Sequence, residues 1–276
     1  MKRLLIAGFG DIARRLVSQL PDRTEVRPLS RRSGCDLDRP ETLAGIDGWA
    51  ETVLHCAPPP GTGDGDPRTA NLLAILERGI LPGRIVYVST SGVYGDCGGA
   101  LVDEMHAPNP QSPRARRRFD AERRLQEWCA RLGVALFVLR APGIYAADRL
   151  PLERLRAGMP ALREEDDVYT NHVHADDLAT AALRAMAEDA PPGVYNASDD
   201  THMKMGQWLD LVADRTGLPR PARIARRGAE SRIPAALLSF MCESRRLDNR
   251  RLKETLGVRL RHPTVYDGLS GAKVAA

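Results

Sequence analysis

Arg3-Leu4-Leu5-Ile6-Ala7-Gly8-Phe9-Gly10-Asp11-Ile12-Ala13 is the stretch that decides the fold. Residues 3–7 read as a strand, the glycines break it, and Ile12, Leu16 and Leu20 then recur at helical spacing. Gly8 permits a tight turn, Gly10 leaves the backbone bare for a pyrophosphate, and Ala13 is small enough for close helix–strand packing. The helix N-terminus faces the phosphates. A glycine turn between a strand and a helix predicts a dinucleotide site built on Gly8, Phe9, Gly10, Asp11 and Ile12.

Further strands are expected at Glu25–Leu29, 52–57, 84–89, 134–140 and Gly193–Asn196. Helices fall between them. Asp66-Pro67 caps one that runs through Glu77, and Ser112-Pro113 opens another that reaches Leu132. Alternating strands and helices predict an α/β, Rossmann-type doubly wound parallel sheet. After about Ser198 the pattern turns to helices and Pro/Arg-rich loops. The expected domains are an NADP(H)-binding unit at 1–198 and a small, mainly helical substrate lobe at 199–276. Residues of about 146–166 contribute to that lobe.

The chain has 276 residues, of which 43% are apolar and 28% charged. That suffices for a core without metals or disulfides and argues against disorder. No apolar run approaches the roughly 20 residues needed to span a membrane. The basic-then-apolar start is too short for a signal peptide. The five cysteines are odd in number, and none forms a CxxC pair. No disulfide framework or zinc site is therefore expected, and a cytoplasmic location fits. The net charge of +4 does not by itself call for nucleic acid. Of the 40 basic residues only Lys2, Lys204, Lys253 and Lys273 are lysines. A GC-rich coding sequence would favour arginine, but only lysine can be tuned to exchange a proton near neutrality.

The end of the second strand bears on the cofactor. An acidic residue there would hold the ribose 2′-hydroxyl of NAD. The chain offers Ser30, Arg31 and Arg32, which suit a 2′-phosphate. NADP(H) is therefore expected, with NAD as the alternative.

Several further strings, in order, resemble the extended or atypical branch of the short-chain dehydrogenase/reductase superfamily, the relatives of nucleotide-sugar epimerases and dehydratases. They are Gly34-Cys35-Asp36-Leu37, Thr69-Ala70-Asn71-Leu72-Leu73, Val88-Ser89-Thr90-Ser91-Gly92-Val93-Tyr94-Gly95, Arg140-Ala141-Pro142-Gly143-Ile144-Tyr145 and Asn171-His172-Val173-His174-Ala175-Asp176-Asp177-Leu178-Ala179. Ser244-Arg245-Arg246-Leu247-Asp248-Asn249, Leu256-Gly257-Val258 and Pro263-Thr264 resemble the C-terminal segment of family members. The resemblance implies adenine contacts at Asp36 and Leu37. It also implies cofactor contacts at Ala57, Pro58, Ser89, Pro142, Gly143 and Ile144, a small-molecule substrate, and a homodimer through the 66–77 and 112–132 helices.

The family's chemistry normally rests on a Tyr-x-x-x-Lys pair. The tyrosine exchanges the substrate proton, and the lysine lowers its pKa and holds the nicotinamide ribose. None of the six tyrosines here is followed four residues later by lysine. Alignment through Phe119 to Glu122 puts Arg114 and Arg118 at those positions. At about 100° per residue both project onto the face of Ala121, Leu125 and Trp128, towards the cofactor. Arginine cannot exchange a proton at neutral pH. Arg118 is expected to take the ribose or electrostatic role, and Arg114 to clamp an anionic substrate group or the cofactor. Thr90 matches the family's catalytic Ser/Thr. Tyr94 or Tyr145 is the candidate replacement proton donor. Ser91 and Gly92 stand where dehydratases of the family carry an acidic pair, which argues against that reaction. His172 and His174 lack a third ligand at suitable spacing, so no metal is expected. Two readings follow: an NADP(H)-dependent oxidoreductase or epimerase-like enzyme of atypical mechanism, or a non-catalytic NADP(H)-binding redox sensor.

Overall fold

The computed structural model describes residues 2–270, so Lys273 and the rest of 271–276 lie outside the described residues. Six parallel strands form the central sheet: β1 (Arg3–Ala7), β2 (Glu25–Leu29), β3 (Thr52–His55), β4 (Arg84–Thr90), β5 (Ala135–Ala141) and β6 (Gly193–Asn196). Their order is β6-β5-β4-β3-β1-β2. β1 pairs with β2 on one side and β3 on the other, so the chain reverses direction across it. In open parallel sheets the ligand crevice lies outside the strand C-termini at such a switch point. The third strand stops short of its expected end because Ala57 turns in against Gly8.

Alternation along β1 explains the layers. Leu4 and Ile6 face one side, and Leu5 and Ala7 the other. On the first side pack α1 (Asp11–Val17), through Ile12, Ala13 and Leu16, and the alanine-rich α4 (Ala175–Ala185). On the second lie α2 (Pro67–Leu76) and α3 (Pro113–Leu132), through Leu72, Leu76, Leu125 and Trp128. The caps are as the sequence suggests. Asp66 accepts from the Arg68 and Thr69 amides, Ser112 accepts from the Ala115 amide, and Pro113 opens α3. Gly133, at φ +69°, ends it.

Two smaller cores lie beyond the strand C-termini. One joins Tyr145, Leu155, Met203, Val265 and Leu269 with Trp208, Leu209 and Val212 of α5 (Met205–Thr216). The other gathers Leu162, Val168, Ala229, Ile233 and Met241. The chain then turns back. Arg246–Leu247 pairs with Leu101–Val102, and Leu252, Leu256 and Val258 enter the first core of the sheet. Among the described residues, no helix is long and apolar enough to cross a membrane.

Candidate active site

The glycine turn is built by backbone contact. Gly8 sits at φ +89°, and a Cβ there would stand 2.4 Å from the Ala57 amide nitrogen. Only glycine lets the β1 turn lie so close to the β3 turn. A Cβ on Gly10 would meet nothing within 4 Å. Gly10 therefore borders open space, the cradle a pyrophosphate requires, and the turn fits a dinucleotide. Phe9 and Ile12 pack into the core beside this turn. The Asp11 carboxylate is engaged elsewhere, accepting from Arg15 and Arg149. Arg15 also binds Asp148 and Asp176, so Arg15, held by Asp11, braces α1 against the start of α4.

From Gly8 an open cavity runs past the end of β2. Ser30, Arg31, Asp36, Leu37, Ala57 and Pro58 line it. Ser30 is committed to a local turn with Ser33, and Arg32 is exposed outside the lining. Arg68 also lines this cavity, although sequence reading passed it over. Its guanidinium forks onto Asp38 at 2.8 and 2.6 Å and donates to the Pro58 carbonyl. The available signal was its place in the first turn of a helix capped by Asp66.

A second cavity opens over the ends of β4 and β5. Thr90, Ser91, Gly92, Arg114, Pro142 and Gly143 meet there with Tyr169, Met205, Phe240, Glu243 and Arg245. Thr90 Oγ1 accepts the Gly92 amide at 3.2 Å, which leaves its own proton free to donate. Arg118 turns inward as projected, donating to the Val88 carbonyl at 3.0 Å and the Tyr87 hydroxyl at 3.2 Å. Burial takes His55 down to about 3, and Arg118 adds to that. Arg114 sits at the cavity mouth, its guanidinium 3.8 Å from the Phe240 ring centroid. It stays exposed, and partial desolvation together with the neighbouring Arg245, Arg117 and Arg118 lowers its pKa.

Several expected residues are placed differently. Tyr94 is fully buried, and its hydroxyl donates to Asn196 Oδ1 at 2.8 Å. Tyr145 is enclosed by His172, His174 and Trp208 and donates to the Thr264 carbonyl. Neither lines the cavity. Ser89 donates to Glu122, and Ile144 packs on the core. Among the tyrosines, Tyr169 is the one on the cavity lining, and sequence reading did not single it out. The metal expectation counted ligands along the chain and so missed His262, whose ring centroid lies 3.8 Å from that of His174 beside Asp176. Two of those groups are already engaged: Asp176 Oδ1 accepts from Arg15, and His174 Nδ1 accepts the Asp176 amide.

Near this site Asp199 is buried, with Oδ1 accepting the Thr201 amide and Oδ2 unpartnered. Burial pushes its carboxyl from 3.8 up to about 8. The folded chain therefore keeps a proton that the unfolded chain releases. The stability this provides is complete below about pH 4 and is lost as pH rises to about 8. Asp199→Asn should show a smaller fall in melting temperature between pH 6 and pH 9 than the parent. Equal slopes in a thermal-shift series would contradict this.

Residues 68–198 match the NAD-dependent epimerase/dehydratase family. GDP-6-deoxy-D-mannose reductase of Pseudomonas aeruginosa is 27% identical over 161 residues, 53% of each chain. The chain thus spans about half the length of the curated relatives it matches. A conserved protein of unknown function from Silicibacter pomeroyi is 29% identical, covering 99% of this chain and 98% of its own, with a TM-score of 0.80. RMD from P. aeruginosa, solved with NADPH, is 20% identical over 99% of this chain and 97% of its own, with a TM-score of 0.76. Complexes with NAD also occur among the similar structures. The parallel sheet, the glycine turn and the match through β4, β5 and β6 agree: residues 68–198 are similar to the NAD-dependent epimerase/dehydratase family, and the whole chain shares the fold of its solved relatives.

Proposed function

We propose that the chain is an NADP(H)-preferring oxidoreductase or epimerase-like enzyme that works without a Tyr-x-x-x-Lys pair. The meeting of Thr90, Arg114 and Tyr169 in one cavity over the ends of β4 and β5 carries this reading, with Arg118 turned onto the carbonyl of Val88, two residues before Thr90. Arg118 sets a fixed positive charge at the end of β4, where the resemblance calls for a lysine. Bound nicotinamide would supply the hydride. Gly8 and Gly10 would admit the pyrophosphate, and Arg31 would favour a 2′-phosphate in the cavity it lines. Thr90 would donate to a substrate oxygen. Tyr169 would hold the exchangeable proton, since Tyr94 and Tyr145 are turned away from the cavity.

Fluorescence titration tests the cofactor. NADPH should bind at least about tenfold more tightly than NADH, and Arg31→Ala should remove most of that margin. Tighter NADH binding would overturn the preference. Hydride transfer from labelled NADPH to a panel of carbonyl compounds tests catalysis. Tyr169→Phe should lower turnover about 100-fold without altering NADPH affinity. NADPH binding without transfer to any member of the panel would favour the sensor, for which the burial of Tyr94 and Tyr145 speaks.

A further inference from the structure

The cavity over β4 and β5 has an unusual balance of donors and acceptors. Arg114 has no hydrogen-bond or ion-pair partner among the described residues, and its guanidinium lies 3.8 Å from the Phe240 ring centroid on the exposed side of the cavity. All five of its N–H donors are unspent. The lining carboxylate, Glu243, is paired with Arg245, accepting from its Nη1 through Oε2 at 2.9 Å. Arg245 Nε is buried without a partner. Thr90 has a free hydroxyl proton, and the buried Ser91 hydroxyl has no hydrogen-bond partner. The two arginines and one glutamate leave the lining one positive charge in excess. Phe240 and Met205 add apolar wall.

A ligand suited to Arg114, Arg245, Thr90 and Ser91 offers them acceptors, carries one negative charge and is small. A carboxylate answers the guanidinium fork, and a second oxygen answers the hydroxyls. The free space is about 180 Å³, below the roughly 300–1,000 Å³ common for larger ligands. A nucleotide diphosphate would bring at least two anionic phosphates to a single unpaired arginine. We propose that this cavity is a receptor for a small 2-oxo carboxylate. Arg114, steadied by Phe240, clamps the carboxylate, while Thr90 and Ser91 donate to the oxo oxygen. This rests on the reading of the cavity as the substrate site.

Calorimetry on the full chain tests it, with pyruvate, 2-oxobutanoate and phenylpyruvate, their methyl esters, phenyl phosphate and UDP-glucose as probes. At least one oxo acid should bind with a Kd of about 1 mM or tighter, and its ester at least about tenfold more weakly. Arg114→Ala and Arg114→Gln should each cost at least about tenfold for the acid and nothing for the ester. Phe240→Ala should cost less, because it loosens the fork without removing it. NADPH affinity should stay within about twofold in both Arg114 variants. Equal binding of acid and ester, tighter binding of phenyl phosphate or UDP-glucose, or an Arg114 effect on NADPH alone would each overturn the proposal. Calorimetry without NADPH reads the carboxylate site by itself. Failure of dinucleotide binding therefore strikes the cofactor reading and leaves this result separate.

Discussion

Glu122→Ala is expected to lower the unfolding free energy by about 3–5 kcal/mol, the usual cost of stranding one partner of a buried ion pair. Glu122 is fully buried in α3, and its carboxylate accepts from Arg140 Nη2 at 2.8 Å and Nε at 3.2 Å. Arg140 is itself buried on β5, with its guanidinium 4.7 Å from the Tyr94 ring centroid. Ser89 gives its hydroxyl proton to the same carboxylate. Truncation would leave a buried cation and a buried hydroxyl without an acceptor. At about 2–4 °C per kcal/mol for a chain of this size, the melting temperature should fall by roughly 6–20 °C. The double variant Glu122→Leu with Arg140→Met should recover much of the loss, since well-packed apolar pairs often replace buried ions at little cost. A loss below about 1 kcal/mol in the single variant would mean that water or local rearrangement relieves Arg140.

The second large effect separates the two glycines of the turn. Gly10→Val should fold with an unchanged melting temperature, because Gly10 has φ −90° and open space at its Cβ position. The same side chain would stand in the cradle, so NADPH affinity should drop by at least about 100-fold. Gly8→Ala should act the other way round. Its methyl would overlap the Ala57 backbone, and the residue would be held at φ +89°. Left-handed strain alone costs about 1–2 kcal/mol, with the overlap added. Parallel melting curves and titrations read both variants. Loss of stability in Gly10→Val, or none in Gly8→Ala, would reverse the assignment.

The fold was legible where the signal is local. β2 and β6 run over Glu25–Leu29 and Gly193–Asn196 as read, because each is a short extended string set between clear Pro, Gly, Ser or Asp breakers. Helical projection put both Arg114 and Arg118 on the inward face; Arg118 does turn onto the Val88 carbonyl, but Arg114, in the first turn, stays exposed. Arg117 was missed although the same projection carried it: it lies one i,i+4 step before Ala121, is buried, and donates to the Gly63 carbonyl. The Glu122–Arg140 pair was illegible because a charged residue on a helix or strand reads as solvent-facing until tertiary packing supplies its partner. Tyr169, Phe240 and His262 were illegible for a related reason. No local periodicity says which part of the distant lobe closes over β4.

The return of Leu252, Leu256 and Val258 to the side of the sheet begun by Leu4 and Ile6 has a consequence for how the protein is made. During synthesis the first strand leaves the ribosome about 250 residues before the last apolar wedges that cover it. At roughly 5–20 residues per second, that face of the sheet waits some ten to fifty seconds for completion. Over that interval the nascent chain would present an apolar seam, and a helper that shields such seams would find its binding site there.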